Sequence, residues 1–316
     1  MVGKIGKILI AVCLMTGLLM LSSDALRAQD NAAVINEVIQ KHLQSFGKAE
    51  DVGKIKSRGV VGAAGVTFIL GATGNLTDGS FMTVSEGGSI GMMLEFKDVN
   101  YPGEYFAYNG KDVTVSTIKP GQRSPLGDFM FRHPGIIREG LFGGVISVAW
   151  PLLKDESERP SFIYSKGSVG DRPAHILEYS PENRLRGMTV KLFFDGETYR
   201  HIRTEYEVRQ YDDLTAKSGI TAGAEDWNRA APVDGKVSPR EPAASIRGQH
   251  AQPVSVYRLV ETFGEYANVG GIMMPQLYMI DYSLEGSGTA FIARWLVAAR
   301  NWINNGVIDQ TFFVAK

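Results

Sequence analysis

From Ile55 onward, short runs of β-branched and aromatic residues alternate with clusters of Gly, Asn and Asp, and this rhythm restricts the fold more than any other feature of the chain. Ile55–Val61, Val66–Leu70, Ser80–Ser85, Met92–Lys97, Glu104–Tyr108 and Val113–Ile118 all have strand length. Gly74-Asn75, Asp78-Gly79, Gly87-Gly88 and Asn109-Gly110-Lys111-Asp112 break them, and Asn-Gly between apolar runs signals a hairpin. The rhythm resumes at Ser161–Lys166, Ala174–Tyr179, Met188–Phe194, His201–Val208, Val254–Phe263 and Met274–Leu284. In Met188–Phe194 the apolar side chains alternate cleanly except at Phe193. Phe291–Ile303 fits a helix through Ile292, Trp295, Leu296 and Ala299, or a strand ending at Asn304-Asn305-Gly306; the surrounding pattern favours a strand. No repeat of 20–50 residues is present. Many strands with few helices predict an antiparallel sheet, not βαβ winding.

Two stretches depart from this rhythm, and a third loses it. Val34, Ile35, Val38, Ile39, His42, Leu43 and Phe46 recur at helical spacing, with Asp30 or Asn31 as cap and Gly47 as stop. Residues 124–153, punctuated by Pro125, Pro134 and Pro151, carry Leu126, Phe129, Phe131, Ile136, Ile137, Leu141, Phe142, Val145, Val148 and Trp150. Short helices fit there. Their bulk reads either as core filler or as a hydrophobic lid over a concave sheet, enclosing a greasy cavity. Residues 215–253 have no periodicity and read as a long loop or mobile insertion.

The N-terminus narrows the chemistry. Lys4 and Lys7 precede an uncharged run from Ile8 to Leu21, followed by small and polar residues through Ala28. This is the layout of a secretory signal. The run is shorter than the roughly 20 residues a membrane-crossing helix needs. Residues 1–28 are therefore expected to be a signal peptide cleaved near Ala25 to Ala28; a retained anchor is the alternative. The chain left at 29–316 is expected to be a single domain working in the periplasm or secreted. Its only cysteine, Cys13, lies within the signal run, so the exported chain has no disulfide-linked partner and no thiol chemistry. Acylation of Cys13 would need small residues before it, where Ile10-Ala11-Val12 stand. A net charge of -1 supplies no field for binding nucleic acid.

No motif assigns catalysis. Gly87-Gly88-Ser89-Ile90-Gly91 matches the serine-hydrolase elbow, which requires a strand before Ser89 and a helix after it. A β-like segment follows instead. His42, His133, His175, His201 and His250 lack metal-ligand spacing; His175 and His201 could pair with Asp195 or Glu178 as acid and base. Asp155, Glu156 and Glu158 lack the spacing of a calcium loop. Neither a metal nor another cofactor is expected.

Several stretches together resemble a known family. They are Val34–Phe46 followed by Ile55–Val61, the Tyr108-Asn109-Gly110-Lys111 turn, the phrase Val190-Lys191-Leu192-Phe193-Phe194-Asp195-Gly196-Glu197-Thr198, and Asn305-Gly306-Val307-Ile308-Asp309 through Phe312. In this order they resemble the LolA/LolB-like periplasmic lipoprotein-carrier superfamily. The resemblance implies a strongly curved antiparallel sheet, an unclosed half-barrel with helices on the concave side. It also implies a non-enzymatic carrier that holds a lipid or lipoprotein acyl chain, with other envelope proteins as further partners. The residues expected to shelter the chain are Phe129, Phe131, Ile136, Ile137, Leu141, Phe142, Val145 and Trp150. The 215–253 insertion is longer than that fold requires. The alternatives are an exported serine hydrolase using Ser89, and a structural envelope protein without a ligand.

Overall fold

The computed structural model describes residues 31–180, 187–211, 253–286 and 289–315. The expected signal at 1–28, Asp30, His250 and all but the last residue of the 215–253 insertion lie outside them. Twelve antiparallel strands form one sheet that is not closed into a barrel. They are β1 (Ser57–Leu70), β2 (Gly74–Glu86), β3 (Ser89–Glu95), β4 (Gly103–Tyr108), β5 (Val113–Val115), β6 (Ser161–Val169), β7 (Arg172–Ser180), β8 (Met188–Asp195), β9 (His201–Tyr211), β10 (Pro253–Val269), β11 (Ile272–Gly286) and β12 (Thr289–Asn304). The ambiguous Phe291–Ile303 run is a strand, as its surroundings suggested.

The strand order is β5-β4-β3-β2-β1-β12-β11-β10-β9-β8-β7-β6. Two meanders, β1–β5 and β6–β12, are thus joined where β1 pairs with β12. Strands consecutive in the chain, β5 and β6, stand at opposite edges. Twelve strands at the usual spacing place those edges about 50 Å apart along the sheet. The segment between them crosses the whole inner face, which is why it carries so much apolar bulk. It does so as helix α3 (Pro125–Arg132), the short α4 (Gly135–Arg138) and 3-10 turns at Gly144–Ile146 and Pro151–Leu153.

Two expectations about β1 and β2 are corrected. Ile55–Val61 and Val66–Leu70 form one strand, because the small residues Gly62-Ala63-Ala64-Gly65 absorb register shifts instead of ending it. Gly74-Asn75 and Asp78-Gly79, expected as turns, lie inside β2. A Cβ at Gly79 would stand 2.4 Å from the Phe96 ring, so the glycine there makes room for an aromatic side chain. The irregularity at Phe193 also has a structural counterpart, a register shift against β9 between Phe193 and Phe194.

The amphipathic helix at 31–46, α1, buries Val38, Ile39, His42 and Phe46 in the core. Its aromatic edge meets β8 and β9, with His42 4.7 Å from the Phe194 ring. A second short helix, α2 (Ala49–Gly53), leads into β1. Past β12, Asn305 adopts a left-handed conformation and takes the C-terminal tail to the other face of the sheet. There Tyr105 donates a hydrogen bond to the Phe312 carbonyl (2.7 Å), and Phe313 is buried.

The end of α1 depends on a close approach. Gly47 has φ of 144°, and a Cβ there would stand 2.7 Å from the Gly271 carbonyl oxygen at the β10–β11 turn. Both the backbone conformation and the space require glycine. Gly47→Ala is expected to cost about 1–3 kcal/mol. Urea denaturation measures this, and an unchanged midpoint would show that the helix end is not held against the turn.

Candidate functional site

The connector is fixed to the sheet by two buried carboxylates. Glu261 projects from β10 between Leu259 and Phe263, all three buried. Its Oε1 accepts hydrogen bonds from the Gly143 N–H (2.7 Å) and the Tyr278 hydroxyl (2.6 Å), and its Oε2 accepts one from Tyr206 (2.7 Å). Gly143 and Gly144 both have positive φ. This lets the backbone lie directly on Glu261 and His201; a Cβ at Gly144 would stand 3.0 Å from the rings of His201 and Phe263. Nearer the other edge, Glu104 of β4 accepts hydrogen bonds from Tyr101 (2.9 Å) and, through a very short contact, from Ser124. Ser124 caps α3 by accepting from the Gly127 N–H (2.8 Å).

Burial pushes both carboxyls up to about 7; their hydroxyl and, for Glu261, backbone donors pull the other way without overcoming it. Beyond Glu261, toward β8 and β9, lies a buried aromatic cluster. The Trp150 indole N–H faces His42 Nε2 (3.4 Å), and the Tyr199 carbonyl faces His42 Nδ1 (3.0 Å). This pairing fixes a neutral imidazole protonated on Nδ1. Burial lowers the pKa of His42 to about 4, and burial next to His42 holds His201 well below its ordinary value.

The structure places the eight residues expected to shelter a ligand in two environments. Phe129, Ile136, Ile137, Leu141, Phe142, Val145 and Trp150 are buried and pack into the core. Phe131 is 52% exposed, with the Arg123 guanidinium 3.7 Å above its ring. An apolar cavity of about 320 Å³ lies beside them, and none of the eight lines it. It opens between the end of the β1–β2 hairpin, the 98–101 loop and the start of α3. Phe68, Leu76, Ile118, Leu126, Phe291 and Trp295 form its apolar wall, while Thr73, Asp98, Asn100, Tyr101 and Ser124 supply the polar atoms. The Trp295 indole donates to the Tyr101 hydroxyl (2.8 Å), which joins this wall to Glu104.

Sequence patterning missed Glu104, Glu261 and the cavity residues contributed by β1, β2 and β12. The carboxylates left a signal, since each occupies an apolar-face position of an alternating strand. The cavity left none, because it exists only once β12 lies beside β1.

Among the described residues, the catalytic sets considered from the sequence are not brought together. Ser89 begins β3 directly after a hairpin turn, so a strand follows it, not the helix the elbow requires. No histidine hydrogen-bonds it among the described residues. His175 contacts the Tyr164 hydroxyl (3.0 Å) and stacks on Tyr199, while Asp195 accepts from the Thr198 N–H and hydroxyl in a local turn. The acid–base pairs considered for His175 and His201 do not form. Among the described residues, no group of three or more His, Cys, Asp or Glu could hold a metal, and no helix is long and apolar enough to cross a membrane.

No protein-family model matches the sequence, and no curated protein matches it. Among solved structures, the chain is similar to a DUF1329 family protein from Desulfovibrio piger, at 12% identity and a TM-score of 0.41 over 88% of this chain and 96% of that one. It is also similar to MucB in complex with MucA(peri), at 11% identity and a TM-score of 0.20 over 84% and 93% of the two chains. The MucA/MucB complex of Pseudomonas aeruginosa gives 12% and 0.20 over 86% and 94%. Overlaps of this quality decide nothing about this chain. Its half-barrel rests on its own strand order.

The buried titratable groups predict opposing pH effects. Glu261 has a folded pKa above its unfolded one, so its stabilising contribution is complete below pH 4.5 and lost as pH rises through about 7. His42 works the other way, contributing above about 6.5 and losing it as pH falls toward 4. Glu261→Gln removes only the first effect. Between pH 4.5 and 8 it is expected to lose up to about 3 kcal/mol less stability than the wild type. Urea denaturation at the two pH values measures this, and equal losses in both proteins would remove Glu261 as the source.

Proposed function

We propose that this protein is a non-enzymatic binder of an apolar ligand, working in the periplasm or outside the cell, and that the ligand is one acyl chain or a tail of similar width. The observation that carries this reading is the cavity under the β1–β2 hairpin, walled by six large apolar side chains and open to solvent on one side. At about 320 Å³ it stands at the lower end of the range for ligand pockets, roughly 300–1,000 Å³, which suits one tail better than several. Each methylene sheltered there contributes about 0.8 kcal/mol.

Phe129, Ile136, Ile137, Leu141, Phe142, Val145 and Trp150 enter the proposal as a buried apolar layer next to the cavity, while Phe131, exposed on α3, stands outside it. Leu126 lines the cavity one turn before Phe129 and Met130 on α3. A larger ligand, such as a lipoprotein anchor, reaches that layer if α3 lifts from the sheet. Delivery to or from other envelope proteins would follow from such a role. Among the described residues, no arrangement of side chains favours the hydrolase alternative.

Displacement of a neutral fluorescent probe by short-chain amphiphiles tests the reading. Leu76→Arg places a charge in the cavity wall and is expected to weaken binding at least tenfold. Leu296→Arg, on the opposite and exposed side of β12, is expected to leave it within twofold. Saturable binding that Leu76→Arg leaves intact would place the ligand elsewhere, and no binding at all would leave a ligand-free structural role.

A further inference from the structure

The polar groups of the cavity are arranged unevenly, and the unevenness bears on what the ligand carries at its polar end. Among the described residues, Asp98 is the one charged side chain lining the cavity. Its Oδ1 accepts the N–H groups of Asn100 (2.8 Å) and Tyr101 (2.9 Å). Its other oxygen has no partner among the described residues, so an acceptor oxygen stands ready at the mouth. The donors of the inner wall are already in use. Tyr101 and Ser124 both direct their hydroxyl hydrogens to Glu104, and the Trp295 indole N–H is taken by Tyr101. Each of these hydroxyls also accepts a hydrogen bond, from Trp295 and from the Gly127 N–H respectively. Among the described lining residues, only Thr73 and Asn100, exposed at the rim, retain side-chain donors.

Basic residues are close in sequence but do not line the space. Lys97 is exposed, and Arg123 lies over the Phe131 ring. An anionic group entering beside Asp98 would meet a like charge with no lining cation to offset it, and at the inner wall it would find no free side-chain donor. A group that donates hydrogen bonds meets the unfilled carboxylate oxygen.

We infer that the cavity selects an apolar tail ending in a cationic or neutral hydrogen-bond donor, such as an alkylammonium or an alkyl alcohol, over one ending in a carboxylate or phosphate. This rests on the cavity being the binding site. The tail lies against Phe68, Leu76, Leu126, Phe291 and Trp295, and its polar end is held at the mouth by Asp98.

Three ten-carbon amphiphiles at neutral pH, decylammonium, decanol and decanoate, separate the two claims when each displaces a neutral fluorescent probe below its micelle concentration. Decylammonium is expected to bind tightest and decanoate weakest, with a ratio of roughly three- to fivefold between them, as suits one partly exposed charge contact. Asp98→Asn keeps an acceptor for the Asn100 and Tyr101 N–H groups and so preserves the loop. It is expected to bring decylammonium and decanoate within twofold of each other and to leave decanol unchanged. Decanoate binding as tightly as decylammonium, or a preference that survives Asp98→Asn, overturns the inference while leaving the cavity as a binding site. If none of the three displaces the probe, the binding reading fails and the inference fails with it.

Discussion

The antiparallel pairing of β1 with β12 runs from Arg58 opposite Asn304 to Leu70 opposite Ile292, and the arrangement of the inner face depends on it. Without that seam, each meander would be an ordinary sheet with its own two edges. With it, the edges left over are β5 and β6, which are consecutive in the chain and the two ends of the strand order. The chain resolves this by laying residues 124–153 across the inner face. A connector in that position replaces solvent over the middle of the sheet, so its side chains must be as apolar as those they cover.

A peptide crossing a sheet cannot hydrogen-bond to it as another strand would, and its polar groups need other partners. Glu261 and Glu104 supply two of them. Each costs something to bury, and each is surrounded by hydroxyls that direct hydrogens toward it. Beyond Glu261, Trp150 is held by packing against His201 at 4.8 Å and by the acceptor nitrogen of His42. The connector is thus held by directional contacts at separate points, with apolar packing in between. The cavity lies where this covering stops short, beyond the start of α3 and beneath the β1–β2 hairpin.

Much of the sheet was legible in the sequence because its signals are local. Alternation marked the strands around Leu192 and Tyr282, and Asn109-Gly110 marked a hairpin. Even the departure at Phe193 corresponded to a register shift. What local signals could not convey was pairing. Gly62 through Gly65 look like a break, yet with strands on both sides they serve as flexible points within one long strand. The 126–150 segment presented the same difficulty. Its bulk pointed equally to core and to lid until the positions of β5 and β6 showed that it had to cross the sheet. Trp295 and Phe68 could not be assigned to a cavity from sequence, since they are more than 200 residues apart.

The β1–β12 seam also constrains the order in which the chain can fold. Almost every other strand pairs with its immediate predecessor in the chain, most of them over short loops, with β9 and β10 the exception across residues 212–252. β1 waits for a partner that begins at Thr289, the last strand made. Until then β1 is an unpaired edge, and closing so long a loop is slow compared with forming a hairpin. A chain interrupted before residue 289 would hold a meander whose longest open edge is exposed, which is a template for association with other chains. The strand that completes the sheet is therefore also the one that protects it.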